Sequence, residues 1–525
     1  MNVAWLFFSA LVAGVLHGTS FALTADSAPR WWLQLIALGW LMWLVWRETQ
    51  ARRAALAGYA FGLGWFGFGV HWVFTSLHVY GGMHWLLAAL AVVVFCAFLA
   101  LYPALAAGLS VKLGRYRLAP SQAPGISQML WFAAWWGGSE WLRGTVFTGF
   151  PWIASGYAHV EGPLAAYAPV LGVYGLCTLA ALLAGSFCLW TRRALWPWAI
   201  GLPLVLVGLG LILATQSWTQ PYGQPLQVRL IQGNVAQDIK FQPERLLEQF
   251  RLYDALATAA PADLIVLPET AIPVPIQNSP HGFFSSLADF ARTTGSTVLT
   301  GVPIMQARPA LAGPGPMGEE DWYNAVVALT PQAPQQVLDH GDLPRYAKHH
   351  LVPFGEYIPW GFAWFVAAMN MPLGEFSRGE QVQAPFLVKD QRIAVNICYE
   401  DLFGHEIALT LNQPLAPTVL LNVSNIAWFG HSVALPQHLL ASRLRAKETG
   451  RPMLRATNTG MTAVITPDGT VQAQLPAHTR GTLVQTVQGY SGQTPYLRWK
   501  DWGFAVLSLI LAASAWVFAR LIRHE

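Results

Sequence analysis

Three residue types that together perform acyl transfer, a carboxylate, a lysine and a thiol, stand in that order along this chain. Cys398 closes an apolar run in Val395-Asn396-Ile397-Cys398-Tyr399-Glu400-Asp401, which gives way abruptly to carboxylates. Glu269 ends another, Leu264-Ile265-Val266-Leu267-Pro268-Glu269, and a lone lysine, Lys348, lies in Arg345-Tyr346-Ala347-Lys348-His349-His350. A thiol is the strongest nucleophile among these side chains, but at an ordinary pKa near ~8.5 only a few per cent of it is thiolate at neutral pH. A carboxylate can take its proton during attack, and an ammonium can favour the thiolate and then the oxyanion. Each residue also has a plain structural reading. A free cysteine is usually a small buried hydrophobe, Glu269 would merely end a strand in water, and most lysines lie on the surface.

Cysteine usage favours the chemical reading. Of the four cysteines, Cys96, Cys177 and Cys188 lie inside long apolar stretches, which leaves Cys398 alone in its own region. No disulfide framework is available there, and an unpaired thiol in an oxidising compartment is a liability unless it is used.

The elements that must carry these residues fall into two classes. The composition, 54% hydrophobic and 11% charged over 525 residues, is too apolar for an ordinary soluble chain. Runs near the ~20 residues that cross a bilayer occur at about 4–23, 31–46, 54–79, 84–109, 127–147, 163–190 and 195–215, with another from Trp502 to Leu521. The expectation is an eight-span α-helical bundle: residues 1–215 with seven spans, an inserted α/β domain at 216–499, and a last span with its tail at 500–525. Basic residues follow every second span, at Arg47, Arg52 and Arg53, at Lys112, Arg115 and Arg117, at Arg192 and Arg193, and at Arg520 and Arg523. Because Lys and Arg in short loops stay cytoplasmic, parity puts 216–499 on the far side of the membrane. The first run could alternatively be a signal peptide, but Met1-Asn2-Val3 has no basic n-region. Trp31, Trp32, Trp135, Trp136, Trp196, Trp198, Trp499 and Trp502 read as interfacial anchors.

Within the inserted region, short apolar strands alternate with amphipathic helices. Strands are expected at 228–232, 263–267, 297–302, 393–397, 418–423 and 453–457, and helices at 243–259, 285–293 and 437–448. Glu269, Lys348 and Cys398 then fall at or just past strand ends, where α/β sheets place their chemistry.

The order Glu269, Lys348, Cys398 in these settings resembles the nitrilase superfamily over residues 226–490. Further motifs sharpen this: Tyr346-Ala347-Lys348, Leu351 to Pro359 (LVPFGEYIP), Asn422-Val423-Ser424-Asn425 leading to Trp428-Phe429-Gly430, Arg451-Pro452, and Arg455 to Gly460. Together with His71-Trp72-Val73, Tyr80-Gly81-Gly82-Met83 and Gly149-Phe150-Pro151-Trp152 in the apolar half, the whole chain resembles the bacterial apolipoprotein N-acyltransferase family. One departure is Phe241, where that resemblance leads one to expect tryptophan.

The resemblance implies a nitrilase-like α-β-β-α sandwich on a membrane bundle, in the bacterial inner membrane with the catalytic domain on the periplasmic side. It implies a phospholipid acyl donor, a diacylated apolipoprotein acceptor, no cofactor or metal, and no nucleic-acid partner. Carried over by motif, Glu269 is the general base, Lys348 the triad lysine and Cys398 the nucleophile, with Glu356, Tyr399 and Glu400 in support and a backbone N–H near Tyr399 as oxyanion donor. Asn324, Trp360, Trp364 and Trp428 are candidate substrate or lid residues.

Several features stay open between structural and functional readings. Residues 358–373 carry no charge and are rich in aromatics and Met, so they either pack as core or dip into the membrane interface as a lid. Glu140 and Arg143, three apart, pair on one helix face and either contact a lipid headgroup or hold helices together. His349 and His350 read as surface or packing residues, and His438 reads as helix surface. Two rival functions remain: a membrane-tethered amidase acting on small amides, which needs a water-open pocket, and a lipid transporter or scaffold, which should show broken, charge-bearing spans.

Overall fold

The computed structural model describes residues 2–114, 125–280, 282–308, 320–332, 343–362, 364 and 375–521. Arg115, Arg117 and Arg523, and positions 363 and 365–373 of the candidate lid, lie outside the described residues.

The apolar half is helical throughout: α1 (Val3–Gly18), α2 (Trp31–Trp46), α3 (Ala51–Gly69), α4 (Trp85–Leu99), α5 (Leu101–Gly114), α6 (Ile126–Arg143), α7 (Ala168–Cys188) and α8 (Trp196–Ala214). Among the described residues, four helical stretches, Trp85–Gly114, Ala165–Thr191, Arg193–Ala214 and Trp502–Arg520, are long and apolar enough to cross a bilayer. α1 and α2 are apolar but shorter, at 16 residues each. The run expected at 54–79 is not one helix. It stops at Gly69 and resumes as a short turn, Val73–Thr75, and a π-helical turn, Ser76–Tyr80. α7 is interrupted at Gly172, whose φ of +65° suits glycine and where a Cβ would stand 2.3 Å from the Tyr496 ring.

The inserted region forms two six-stranded sheets. The strands are β1 (Thr219–Gln232), β2 (Leu264–Val266), β3 (Thr297–Ala307), β4 (Glu320–Leu329), β5 (Arg345–Ala347), β6 (Phe386–Val388), β7 (Gln391–Ile397), β8 (Val419–Ser424), β9 (Met453–Thr457), β10 (Ala463–Ile465), β11 (Val471–Gln474) and β12 (Gly481–Gly492). Their orders are β12-β1-β2-β3-β4-β5 and β11-β10-β9-β8-β7-β6. Each sheet has a parallel centre, β1-β2-β3 in one and β7-β8-β9 in the other, flanked by antiparallel strands. Leu230, Val266, Leu299, Val326, Val395, Leu421, Val423 and Leu454 fill the space between the sheets, which is why the parallel strands read as unbroken apolar runs.

Helices α9 (Pro243–Thr258) and α10 (Phe283–Thr294) cover the outer face of the first sheet through Phe250, Tyr253, Phe284 and Leu287. Helices α11 (Gly404–Leu411) and α12 (Ala434–Thr449) belong to the second sheet, and the chain continues into α13 (Trp502–Leu521). The result is α-β-β-α layering, as expected. The outer α layer of the second sheet does not face water, however. Leu435, Leu439, Leu440 and Leu444 of α12 share one apolar cluster with Trp136, Tyr157 and Leu176 of the bundle. Every residue of α12 except Lys447 is buried. Trp136, expected as an interfacial anchor, is also buried and donates its indole N–H to Ser155 Oγ at 3.2 Å.

Burial on all sides forces the polar residues of α12 to find partners. Arg445 and Glu448, both fully buried, pair at 2.6 Å. Glu448→Ala should therefore lower stability by about 3–5 kcal/mol, because it strands a guanidinium in a dry site. Thermal unfolding of the detergent-purified protein measures this as a large fall in midpoint.

Candidate active site

The strand ends bring Glu269, Lys348 and Cys398 together. Cys398 follows β7 and opens a tight helical turn, Cys398–Leu402, with φ +54°, a conformation sparse for a non-glycine residue. Thr270 and Ile426, which follow site residues Glu269 and Asn425, also have positive φ, so backbone strain gathers around the site. Gly301 of β3 lets the Glu269 segment lie close, since a Cβ there would meet Pro268 O at 2.5 Å and Thr270 N at 2.6 Å.

Glu269 is buried and held from two sides. Its Oε1 accepts from Asn324 Nδ2 at 2.8 Å and its Oε2 from the Asn425 backbone N–H at 2.7 Å. Lys348, past the end of β5, is almost fully buried; its Nζ donates to Glu356 Oε1 at 2.9 Å and stands 3.7 Å from Glu269 Oε1. The other oxygen of Glu356 accepts from the Val352 N–H at 2.8 Å. The Asn324 amide also donates to Glu356 Oε1 at 2.8 Å, so it bridges the two carboxylates. Asn324, a substrate or lid candidate from sequence, is thus part of the frame that aims Glu269 and Glu356.

The electrostatics define the resting protonation state. Burial works against the Lys348 charge, but the carboxylates of Glu356 and Glu269 outweigh it and hold the ammonium above the ordinary lysine range. Burial, and next the Glu269 carboxylate, push the Cys398 thiol up to about 12, against the opposing pull of Lys348 and Ser424. Cys398 therefore rests as a thiol beside a carboxylate.

The residues that follow Cys398 are anchored in different directions. Glu400 Oε1 accepts from the N–H groups of His349 (2.8 Å) and His350 (3.0 Å), and its Oε2 from Ile397 N–H (2.6 Å) and Tyr346 Oη (2.9 Å). Glu400 therefore ties the lysine segment to the cysteine turn. Tyr399 donates its hydroxyl to Gly149 O, in the loop after α6, at 3.0 Å. That loop is pinned by the buried Glu140–Arg143 pair, which contact at 2.5 Å. Arg143 also donates to Trp152 O at 3.0 Å, and Glu140 accepts from Ser155 N–H at 3.0 Å. The pair holds structure together, the second of its two sequence readings.

Trp360 is 97% exposed and Trp364 70% exposed, so neither packs as core. Trp428 is half-buried, and its carbonyl accepts from Ser76 Oγ at 2.8 Å. His350 bonds Glu406 at 2.9 Å and stacks on Phe403, while His349 contacts Gly379 O at 2.8 Å; both are packing residues. The surface reading of His438 is wrong. It is fully buried, and its Nε2 lies 3.1 Å from Cys398 O.

Sequence reasoning also missed Lys240 and Asn425. Lys240 is fully buried and donates to Asn425 Oδ1 at 2.8 Å and to Glu269 O at 3.3 Å; burial brings its pKa down to about 7, against the Glu269 carboxylate. Asn425 is the hub between this lysine and Glu269. The only signal was position: Asn425 closes the Asn422–Asn425 motif, and Lys240 immediately precedes Phe241.

Residues 13–186 match the family described as apolipoprotein N-acyltransferase N-terminal domain, and residues 227–496 match carbon-nitrogen hydrolase. An apolipoprotein N-acyltransferase of Ralstonia nicotianae is 50% identical over 493 residues, 93% of this chain and 89% of that one. Another, of Bordetella bronchiseptica, is 41% identical over 536 residues, 96% of this chain and 95% of that one. Among solved structures, a nitrilase-superfamily amidase of Nesterenkonia aligns at 20% identity and TM-score 0.35, over 53% of this chain and 95% of its own.

The raised thiol pKa has a direct readout. A thiol titrating near 12 gains thiolate tenfold per pH unit through neutrality. Iodoacetamide labelling of Cys398, followed by peptide mass, should still be accelerating at pH 9. A plateau below pH 8 would instead show a resting thiolate–ammonium pair.

Proposed function

This chain belongs to the apolipoprotein N-acyltransferase family, and from that premise we propose how its site N-acylates lipoproteins. The acyl chain passes from a phospholipid ester to the thiol of Cys398, and from that thioester to the α-amino group of a diacylglyceryl-cysteine. In the first half-reaction the Cys398 sulfur attacks the ester carbonyl while Glu269 takes the thiol proton. The C–O bond breaks, the lysophospholipid alkoxide recovers that proton, and a thioester remains. In the second half-reaction the amine attacks the thioester, Glu269 takes the amine proton, the C–S bond breaks, and the thiol is restored. Lys348 stabilises the oxyanion of both tetrahedral intermediates together with a backbone N–H at Tyr399, a contribution typically of ~2.7–4 kcal/mol per donor. Glu356 and Asn324 keep Lys348 and Glu269 aimed.

The observation that carries this reading is the 3.0 Å bond from Tyr399, next to the nucleophile, to Gly149 of the apolar half. An amidase acting on small soluble amides has no need of such a tie, whereas an enzyme whose donor is a lipid must hold its nucleophile at the membrane. The exposed Trp360 and Trp364 fit the same logic: two large aromatics at 97% and 70% exposure are suited to an interfacial lid. The alternation of basic loops supports eight spans, a bacterial inner-membrane location and a periplasmic catalytic domain.

Intact-protein mass after incubation with a phospholipid of defined chains should show an acyl adduct on the wild type and none on Cys398→Ala. Adding a diacylglyceryl peptide should discharge the adduct to a triacylated product with ping-pong kinetics. Lys348→Ala should slow adduct formation ~10²-fold or more. Triacylation by Cys398→Ala at a comparable rate would rule out covalent catalysis.

The lid reading has its own test. Trp364→Ser should leave labelling of Cys398 by a small soluble thiol reagent nearly unchanged while slowing acylation from phospholipid. Unchanged acylation would dismiss the lid.

A further inference from the structure

The nucleophile is held from behind by a buried polar cluster that the two half-reactions do not use. The carbonyl oxygen of Cys398 accepts two hydrogen bonds, from Asn422 Nδ2 at 3.0 Å and from His438 Nε2 at 3.1 Å. His438 Nε2 also stands 2.9 Å from Asp401 Oδ1, and its Nδ1 is 3.1 Å from Arg455 Nη2. Arg455 Nη1 donates to Asp401 Oδ2 at 2.9 Å, and the Ser442 hydroxyl donates to the same oxygen. His438, Asp401, Ser442 and Arg455 are all buried.

These contacts fix the state of the imidazole. A guanidinium only donates, so His438 Nδ1 must offer its lone pair to Arg455, and the ring proton sits on Nε2, aimed at Cys398 O and Asp401. Asp401 and Arg455 already balance in charge, so a neutral ring completes an uncharged cluster.

A trans peptide is planar, with its C=O and N–H on opposite sides. Holding the Cys398 carbonyl toward His438 and Asn422 therefore turns the N–H of the same peptide, that of Tyr399, away from the cluster. We propose that His438, oriented by Asp401 and Arg455, is a positioning residue that aims the Tyr399 N–H at the oxyanion of the acyl-transfer intermediates. It does so by locking a turn that begins on a positive-φ cysteine, whose preferred backbone conformation is different. The role rests on the thioester reading above, because it concerns the oxyanion formed on the way to and from that thioester.

The test separates oxyanion chemistry from thiol chemistry. Iodoacetamide reacts with Cys398 by displacement at a saturated carbon and forms no oxyanion; thioester formation from phospholipid does. With phosphatidylethanolamine in mixed micelles as donor, His438→Met should slow single-turnover thioester formation by about 10²-fold. Its iodoacetamide labelling rate should stay within about twofold of wild type. His438→Gln, whose amide nitrogen can reach the Nε2 position, should recover most of the thioester rate. If His438→Met does not fold, Asp401→Asn, which keeps the shape but weakens the hold on the ring, should show the same split at smaller size.

Equal loss of both reactions, or an unchanged thioester rate in the variants, overturns the positioning role. If the wild type itself forms no thioester, the acyl-enzyme reading fails, and the positioning role falls with it.

Discussion

One buried ammonium organises this protein. Lys348 is almost wholly out of water, which carries a cost of several kcal/mol unless opposite charge and hydrogen bonds compensate it. The site compensates with two carboxylates, Glu356 at 2.9 Å and Glu269 at 3.7 Å. Two carboxylates against one ammonium leave an excess negative charge, absorbed by the Asn324 amide and the backbone N–H groups of Asn425 and Val352. The rest of the chemistry follows from that balance. With Glu356 and Glu269 holding its ammonium, Lys348 only partly offsets the burial and the Glu269 charge that keep the Cys398 thiol protonated.

The same accounting explains which parts of the site the sequence reveals. Glu269 and Cys398 announce themselves because a charged or reactive residue just past an apolar parallel strand breaks a pattern, as it does after β2 and β7, whereas Lys348 follows the short antiparallel β5 and is marked by its motif alone. The helices and central strands of the inserted region were legible for the same reason of periodicity, with β9 at the limits expected. Asn324 was legible only as a substrate or lid candidate, because nothing in the sequence of β4 shows that its amide donates to both Glu269 and Glu356. Lys240 was missed because burial of a lysine leaves no mark on its neighbours in sequence.

His438 shows the deeper limit. Along α12, His438 reads as helix surface, and its polar neighbours Gln437, Ser442, Arg443, Arg445 and Glu448 give no sign to the contrary. That reading assumes that the far side of the outer α layer is water. In this chain the far side is the bundle, and the polar positions become the contacts that join the two halves. Trp72 and Trp152 both donate to Gln437 Oε1, at 3.3 and 2.9 Å, and Arg443 reaches Ser27 O at 2.8 Å. No periodicity distinguishes a polar face that meets water from one that meets another polar surface. The breaks in the apolar runs were equally illegible, since the stop at Gly69 and the π-helical turn that follows preserve hydropathy while ending the helix.

These contacts also bear on why the catalytic domain sits on a bundle instead of being tethered to one. Loops of the apolar half bond the residue after Cys398, through Tyr399 and Gly149, and the residue before His438, through Gln437. The cysteine turn is thus fixed from both sides by groups that belong to the apolar half. Removing that half would expose the apolar residues Leu435, Leu439 and Leu440 of α12 and hydrate the partners of its buried charges. Hydration would raise the local dielectric around Asp401 and Arg455 and release the Cys398 carbonyl from a ring that no longer has one orientation. In this architecture the bundle completes the dry, polar frame around Cys398.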